Sequence, residues 1–183
     1  MKINTYTIDG KEVKVIDDAF NLSLIEENYK FVKSCPFYYF DYSFFDDVKA
    51  LVPAGNGTQW VHPINVSETN KYPIFSSYNK LILSQTGFTS LERSHINCHF
   101  FGDTRNPHID KGQINGLLFL NPKWCPEWGG EIIFYENRTP CLVLEPIPGR
   151  LVIFDGSILH KGGTPSKSST MPRYTLTSKF IKD

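Results

Sequence analysis

The sequence predicts a mainly β domain, a sandwich or jelly roll, supported by helices near its N-terminus. Three observations favour this fold class. Short apolar segments follow one another from residue 93 onwards, several of them alternate apolar with polar positions, and turn residues separate them at short intervals. The first half of the chain instead carries helical patterns and an irregular stretch. We therefore expect a single domain over residues 1–183, with helical support and a loop region in 1–90 and the jelly-roll core in 91–183.

Composition and charge disfavour several classes of partner. Nineteen basic residues balance nineteen acidic ones, so no overall field attracts nucleic acid or an acidic membrane. No apolar run approaches transmembrane length, and the N-terminus lacks the apolar segment of a secretory signal. The four cysteines form no C-x-x-C pair, which favours reduced and mostly buried thiols. We expect a cytoplasmic protein.

The N-terminal half shows two helical patterns between less regular segments. The expected elements are a strand at 12–16, a helix that Asp17 or Asp18 caps and that runs to about residue 34, an aromatic-rich strand at 37–45 and a short helix at 76–85. Proline and glycine interrupt residues 46–75, where no periodicity survives. We interpret this long loop as a substrate lid.

The C-terminal half reads as a series of strands. We expect them at 95–101, 117–120, 131–136, 141–145, 150–154 and 174–181. On the last strand, alternation places Arg173, Thr175 and Thr177 on one face, opposite Tyr174 and Leu176. If the face with Arg173 points inward, its buried guanidinium needs an anion, which a dicarboxylate would supply through a bidentate pair.

Two histidines and one carboxylate indicate a candidate metal site. His108 and Asp110 are two residues apart, so in an extended segment their side chains point the same way while Ile109 faces the other way. His160 follows an apolar strand and lies where its ring can reach across a sheet. Two histidines with one carboxylate, leaving open positions, are typical of non-haem Fe(II) oxygenases.

With these residues in place, the segment 97–180 resembles the prolyl-4-hydroxylase-like branch of the Fe(II)/2-oxoglutarate-dependent dioxygenases. The shared features in chain order are the H-x-D of His108 and Asp110, Leu120-Asn121 with Trp124, Gly129-Gly130-Glu131, Pro148-Gly149-Arg150-Leu151, Phe154-Asp155, His160 and Arg173. The resemblance implies a double-stranded β-helix buttressed by N-terminal helices. It also implies Fe(II) on His108, Asp110 and His160, and 2-oxoglutarate whose C5 carboxylate meets Arg173, with O2 as the oxidant and ascorbate as a candidate reductant.

The chain departs from the family pattern at several positions. His99 stands where family members often carry a tyrosine that binds 2-oxoglutarate, and Phe119 replaces another tyrosine. We expect His99 to face the cavity and contact the cosubstrate beside Arg173, Thr175 and Thr177; the alternative is a core histidine bonded to the backbone. Hypoxia-type prolyl hydroxylases hold substrate with an arginine and a tryptophan, near whose places this chain has Gly112 and Lys179.

The expected activity is hydroxylation of an unactivated C–H bond, with a prolyl residue of a peptide or protein as the first candidate substrate. The same chemistry on a free amino acid or another small molecule is the nearest alternative. A non-catalytic or hydrolytic cupin-like metal protein is a third hypothesis. Of the other polar candidates, we expect Trp124, Glu127 and Trp128 to form a packed turn with a solvated charge, and Arg150 and Asp155 to form a structural ion pair; contact with substrate is the alternative for both groups. We expect His62 and His95 not to bind metal.

Overall fold

A computed structural model describes residues 1–41, 58–103, 106–110 and 114–181 of the chain. The strands are β1 Lys2–Ile8, β2 Lys11–Asp17, β3 Tyr38–Asp41, β4 Thr58–Ile64, β5 Ser90–His99, β6 Ile114–Phe119, β7 Ile132–Glu136, β8 Thr139–Leu144, β9 Leu151–Asp155, β10 His160–Gly162 and β11 Arg173–Ile181. The helices are α1 Leu22–Val32 and α2 Phe75–Gln85, with 3-10 helices at Val66–Lys71 and Pro126–Trp128.

The described strands form two antiparallel sheets that face each other. The large sheet has eight strands in the order β1-β2-β9-β6-β11-β5-β4-β3, and the small sheet has three in the order β10-β7-β8. Neighbours in both sheets are antiparallel. The expected mainly β jelly roll with N-terminal helices is therefore confirmed.

Helices α1 and α2 cover one face of the large sheet. They bury Ile25, Phe75 and Ile82 in one apolar cluster with Leu176 and Phe180 of β11. At Gly116 of β6 the fit is tight, because an added Cβ would lie 2.9 Å from the Tyr78 hydroxyl. That hydroxyl donates to the Gly116 carbonyl at 2.6 Å, so glycine allows α2 to approach the sheet this closely.

The opposite face of the large sheet packs against the small sheet. Alternation along each strand divides the side chains cleanly, so that Tyr174 and Leu176 join the helix-side cluster while Arg173 and Thr175 point between the sheets. The second apolar cluster fills part of this inter-sheet space. Its buried members are Ile8, Val13, Val15, Leu117, Phe119, Ile132, Phe134, Leu144, Val152, Phe154 and Ile158.

Helix α1 begins later than predicted. Asn21, rather than Asp17 or Asp18, is the N-cap, and its side-chain oxygen accepts a hydrogen bond from the Leu24 N–H at 2.8 Å. Asp17 ends β2, and Asp18 has a left-handed backbone with φ of 53°. Several residues in this stretch could cap the helix, and the end of the preceding strand decides which of them becomes the N-cap.

The prediction of an irregular loop over residues 46–75 is wrong for its second half. Residues 58–64 form β4, which pairs with β5 on one side and β3 on the other, and a 3-10 helix follows. Strand pairing within the sheet overrides a sequence that contains Pro63 and lacks clear alternation. Residues 46–57, the first part of the proposed lid, lie outside the described residues, as do 42–45 of the strand expected at 37–45.

Other boundaries shift by a few residues. Strand β5 begins at Ser90 and ends at His99, short of the expected residue 101, while β6 begins at Ile114. Strands β1 and β10 were not predicted. Strand β1 is largely exposed and pairs only with β2 in the described sheet, so it carries little hydrophobic signal.

Arg150 forms an ion pair, but its partner is not Asp155. Its guanidinium binds both carboxylate oxygens of Asp17, at 2.6 Å from Nε and 3.1 Å from Nη2. Asp155 instead accepts hydrogen bonds from Ser157. The pair links β2 to the turn before β9, which sequence separation alone could not reveal. Among the described residues, neither α-helix has the length and apolar character needed to cross a membrane.

Candidate active site

Three side chains converge at one end of the inter-sheet space. One ligand atom from each of His108, Asp110 and His160 lies within 4.8 Å of the others. The two imidazole rings are 4.5 Å apart between centroids, and His160 Nε2 is 3.7 Å from Asp110 Oδ2. The structure thus brings together the three residues that the sequence predicted as a metal site.

The backbone explains why these residues meet. His108 and His160 form an isolated antiparallel bridge, in which each N–H donates to the carbonyl of the other at 2.9 Å. The Asp110 N–H donates to the Gly156 carbonyl at 2.6 Å. The segment 106–110 is therefore held along β10, and the H-x-D spacing turns both side chains to the same side.

Both imidazoles are oriented by hydrogen bonds from their Nδ1 atoms. His160 Nδ1 lies 2.8 Å from the Ile158 carbonyl, and His108 Nδ1 lies 3.0 Å from the Asn106 carbonyl. Because a carbonyl only accepts, we assign a ring proton to Nδ1 in each case, so that Nε2 is the atom of the neutral ring that carries a lone pair for a metal. Burial lowers the pKa of His160 to about 3, which keeps its ring in the neutral form that ligates metals.

The carboxylate of Asp110 is held ionised. Burial by itself would raise its pKa, but the positive charge of Lys179, the largest opposing cause, helps to hold the pKa of Asp110 well below its usual range. Lys179 forms an ion pair with Oδ1, and Asn115 Nδ2 donates to Oδ2 at 2.7 Å. The site therefore presents one anionic carboxylate beside two imidazole rings.

A buried guanidinium lies on the same face of the large sheet. Arg173 is 1% exposed, and it donates to the Gly130 carbonyl at 2.9 Å through Nη1. Its Nη2 lies 3.0 Å from Nδ1 of His99, which is its direct cross-strand neighbour on β5. Gly130 has φ of 83°, and an added Cβ would lie 3.0 Å from Arg173 Cδ, so glycine is needed there on both counts.

The other residues predicted to bind the cosubstrate lie near Arg173 on β5 and β11. His99 is 2% exposed and contacts Arg173 rather than the backbone in this hydrogen bond; since the Arg173 N–H donates, His99 Nδ1 accepts. Thr175 Oγ1 is buried without a hydrogen-bond partner among the described residues. Thr177 Oγ1 already accepts from Asn97 Nδ2 at 3.2 Å.

The remaining candidates have structural roles. Trp124 Nε1 donates to the Gly129 carbonyl at 2.8 Å and its ring stacks edge-on with Trp128, as expected for a packed turn. Both ring nitrogens of His62 are engaged, one by the Pro36 carbonyl and the other by the Tyr72 hydroxyl. Neither His62 nor His95 belongs to the metal-type cluster found among the described residues.

Comparison with known proteins shows the family to which the C-terminal half of the chain belongs. The family model described as the 2OG-Fe(II) oxygenase superfamily matches residues 90–180, the segment that carries β5 to β11. Residues 90–180 belong to the 2OG-Fe(II) oxygenase superfamily. Members of this superfamily use Fe(II), 2-oxoglutarate and O2, and the prediction of a 2-oxoglutarate-dependent dioxygenase is confirmed. No curated protein sequence matches the chain.

Solved structures support the fold of this oxygenase. A prolyl-4-hydroxylase from Pseudomonas putida is similar over 93% of this chain and 92% of its own, with a TM-score of 0.67 and 15% identity. A Trichoplax adhaerens prolyl hydroxylase in complex with a hypoxia-inducible-factor peptide covers 93% and 83%, with a TM-score of 0.68 and 18% identity. A Burkholderia pseudomallei oxidoreductase of the 2OG-Fe(II) oxygenase family covers 93% and 85%, with a TM-score of 0.68 and 14% identity.

The residues present fit both groups that this family uses. Two imidazoles and one carboxylate, with ligand atoms within 4.8 Å of one another, are the donor set that suits non-haem Fe(II). A buried guanidinium beside the buried Thr175 hydroxyl, which has no partner in the described part of the chain, suits an incoming carboxylate. The oxygenase therefore has chemically matched positions for metal and cosubstrate on one face of β11.

Two residues that contact Asp110 were not predicted from the sequence. Asn115 was not singled out, and Lys179 was noted only as a departure from the family pattern. A signal for Lys179 was nevertheless present, because it continues the alternation of Arg173, Thr175 and Thr177 along β11. Asn115 lies directly opposite Lys179 on β6, a pairing that only the register of the sheet reveals.

Proposed function

We propose that this protein hydroxylates an unactivated C–H bond, with Fe(II) held by His108, Asp110 and His160 and with the C5 carboxylate of 2-oxoglutarate bound by Arg173. A prolyl residue in a peptide or protein is the first candidate substrate. The observation that carries the proposal is the inward face of β11. At one end of it Arg173 contacts the Gly130 carbonyl, and at the other Lys179 contacts Asp110, so the two binding groups share one surface.

The chain supplies binding, orientation and exclusion of water. His108 and His160 offer Nε2 lone pairs to the metal, and Asp110 offers a carboxylate that Lys179 helps to keep ionised. Fe(II), when bound, supplies the activation of O2 that couples conversion of 2-oxoglutarate to succinate and CO2 with insertion of one oxygen atom into the substrate C–H bond. Phe134 and Phe154 pack against His160, with centroids 6.2 and 4.7 Å away, and close this side of the site to water.

In this proposal the hydroxyls of Thr175 and Thr177 and the ring of His99 assist Arg173 in binding the cosubstrate. Thr175 can donate its hydroxyl to a carboxylate next to Arg173, because nothing in the described residues accepts it. Thr177 keeps a hydroxyl proton to donate while it accepts from Asn97. His99 holds the guanidinium from the neighbouring strand and so orients it towards the cavity.

A free amino acid or another small polar molecule is the second candidate substrate. A specific observation favours it: the residue near the place of the substrate-holding tryptophan of hypoxia-type enzymes is Lys179, which is 4% exposed and lies on the same face of β11 as Arg173. Asn115 and Thr177 lie beside it on the same face. A cleft with this polar lining suits a compact polar substrate better than the apolar ring of a peptidyl proline.

The protein reconstituted with Fe(II) should release succinate from 2-oxoglutarate in the presence of O2. The assay compares succinate release without substrate, with proline-containing peptides and with free L-proline, and mass spectrometry tests each product for one added oxygen atom. Stimulation by peptides supports the first substrate class, and stimulation only by the free amino acid supports the second. A protein that binds 2-oxoglutarate yet never couples it to O2 consumption would instead be a non-catalytic, cupin-like binder.

A further inference from the structure

Both oxygens of the Asp110 carboxylate are engaged from the large sheet. Lys179 on β11 forms an ion pair with Oδ1, and Asn115 on β6 donates to Oδ2 at 2.7 Å. These two residues lie directly opposite each other in the register of β6 and β11. Oδ2 is also the oxygen that faces His160, at 3.7 Å from Nε2. The two oxygens of one carboxylate therefore have different environments.

Because Lys179 is buried, its ammonium group cannot readily leave Asp110 for another partner. The Lys179 side chain is 5% exposed, and Asp110 is the acidic residue within ion-pair distance of its ammonium group in the described part of the chain. A buried ammonium group without an anion costs several kcal/mol, so rotation of Lys179 away from Asp110 is strongly disfavoured. The charge of Arg93 lowers the pKa of this ammonium group and the charge of Glu92 raises it, so these two effects oppose each other. The ion pair with Asp110 thus dominates the position of Lys179.

We infer that Lys179 is a positioning residue that occupies Oδ1 of Asp110 and leaves Oδ2 as the single oxygen available to the metal. Without the ammonium group, Oδ1 could turn towards a bound cation and the carboxylate could bind through both oxygens. Outer residues of this kind set the orientation of metal ligands in many sites. The inference rests on the proposed function, because it takes Asp110 as a metal ligand.

The same ammonium group must also repel a divalent cation. Lys179 carries a positive charge in contact with a carboxylate that the metal shares, and like charges this close interact strongly in a partly buried site. Lys179 is therefore expected to weaken metal binding while it fixes the geometry of the ligand. A residue that only stabilised the fold would have the opposite signature, since its loss would weaken metal binding or leave it unchanged.

Three substitutions separate the roles of charge and hydrogen bonding. Lys179→Met removes both, Lys179→Gln keeps an N–H donor without charge, and Lys179→Arg keeps both. Lys14→Met is the matched control, because Lys14 forms an ion pair with Glu12 at 2.8 Å on β2 and donates to the Gln85 carbonyl, away from the three ligands. Circular dichroism and thermal unfolding without metal establish that each variant is folded.

The measurement is titration of each metal-free protein with Co(II), followed by visible absorption, which weakens as the coordination number of Co(II) rises. Lys179→Met should bind Co(II) roughly tenfold more tightly than the parent protein, with weaker and shifted absorption. Lys179→Gln should bind more tightly but keep the parent spectrum. Lys179→Arg and Lys14→Met should match the parent protein in both respects.

The inference is overturned if Lys179→Met gives the parent spectrum, or if it binds Co(II) no more tightly than the parent. Should the methionine variant fail to fold, the glutamine and arginine variants decide, because only the uncharged one should gain affinity. Failure of the proposed function looks different. In that case the parent protein would not bind Co(II), or His160→Ala would bind it with equal affinity, whatever Lys179 does.

Discussion

The space between the two sheets has an apolar half and a polar half, and they meet at His160. In the apolar half, β2, β6 and β9 face β7 and β8, and Phe134 packs edge-on against Phe154 with centroids 5.0 Å apart. In the polar half, β5 presents buried His99, and β11 presents buried Arg173, Thr175 and Lys179. Both halves lie on the same face of one continuous sheet, yet only the first resembles an ordinary protein core.

The difference shows how a jelly roll reserves space for chemistry. Burial of polar groups is costly unless they find partners, so the polar half is a place where the fold sacrifices stability for binding. The apolar half offsets this cost and holds His160 in place through contacts with Phe134 and Phe154. Substitutions in the two halves should therefore have separable effects, on stability in one case and on ligand binding in the other.

The largest effect should come from His160, where the halves meet. His160→Ala removes one of the three proposed ligands, and we expect Fe(II) affinity and turnover to fall by more than about 100-fold, the upper end for loss of an outer-shell partner. Equilibrium binding of Fe(II) under anaerobic conditions measures the first and succinate release the second. His62→Ala is the control, since the His62 ring contacts Pro36 and Tyr72 instead. Unchanged iron affinity in His160→Ala would remove it from the site.

Loss of an apolar side chain should act on stability instead. Phe134→Ala should lower the free energy of unfolding by about 3–5 kcal/mol, because it leaves a cavity in place of the fully buried Phe134 ring. Denaturant titration measures this change. Val143→Ala on the neighbouring strand β8 should have little effect, since Val143 is 54% exposed. Equal losses for the two variants would mean that the apolar half is not the stabilising one.

Arg173 should affect cosubstrate binding more than folding. We expect Arg173→Ala to weaken 2-oxoglutarate binding by about 2–4 kcal/mol while Fe(II) stays bound, since one partner of a buried charge pair is lost. Isothermal titration with 2-oxoglutarate tests this. Arg150→Ala serves as control, because Arg150 pairs with Asp17 and should influence stability alone. The assignment of Arg173 fails if both variants bind 2-oxoglutarate as the parent does.

The smallest predicted effects belong to the two hydroxyls. Thr175→Val should weaken 2-oxoglutarate binding by about 1 kcal/mol, the usual scale for one neutral hydrogen bond, whereas Thr175→Ser should not. Thr177→Val should cost binding no more than this, because the Thr177 hydroxyl is partly engaged by Asn97. The same titration resolves these differences. A Thr175→Val variant with parent affinity would show that its hydroxyl does not contact the cosubstrate.

Much of the site could be predicted because it follows from local geometry. The H-x-D spacing directs His108 and Asp110 to one side in any extended segment, and strand alternation separates Arg173 and Thr175 from Tyr174. What could not be predicted depends on pairing between distant segments. The partner of Arg150, the strand at β4 and the contact of Lys179 with Asp110 all require the register of the sheets.

The amino-acid sequence by itself determined the kind of chemistry and the class of fold. Side-chain type and short-range periodicity are local properties, so two histidines, one carboxylate and an arginine on an alternating strand could be recognised along the chain. The tertiary structure decided which of these groups touch. It placed His99 against Arg173 and Lys179 against Asp110, because cross-strand register is set by the packing of whole sheets and not by any single segment.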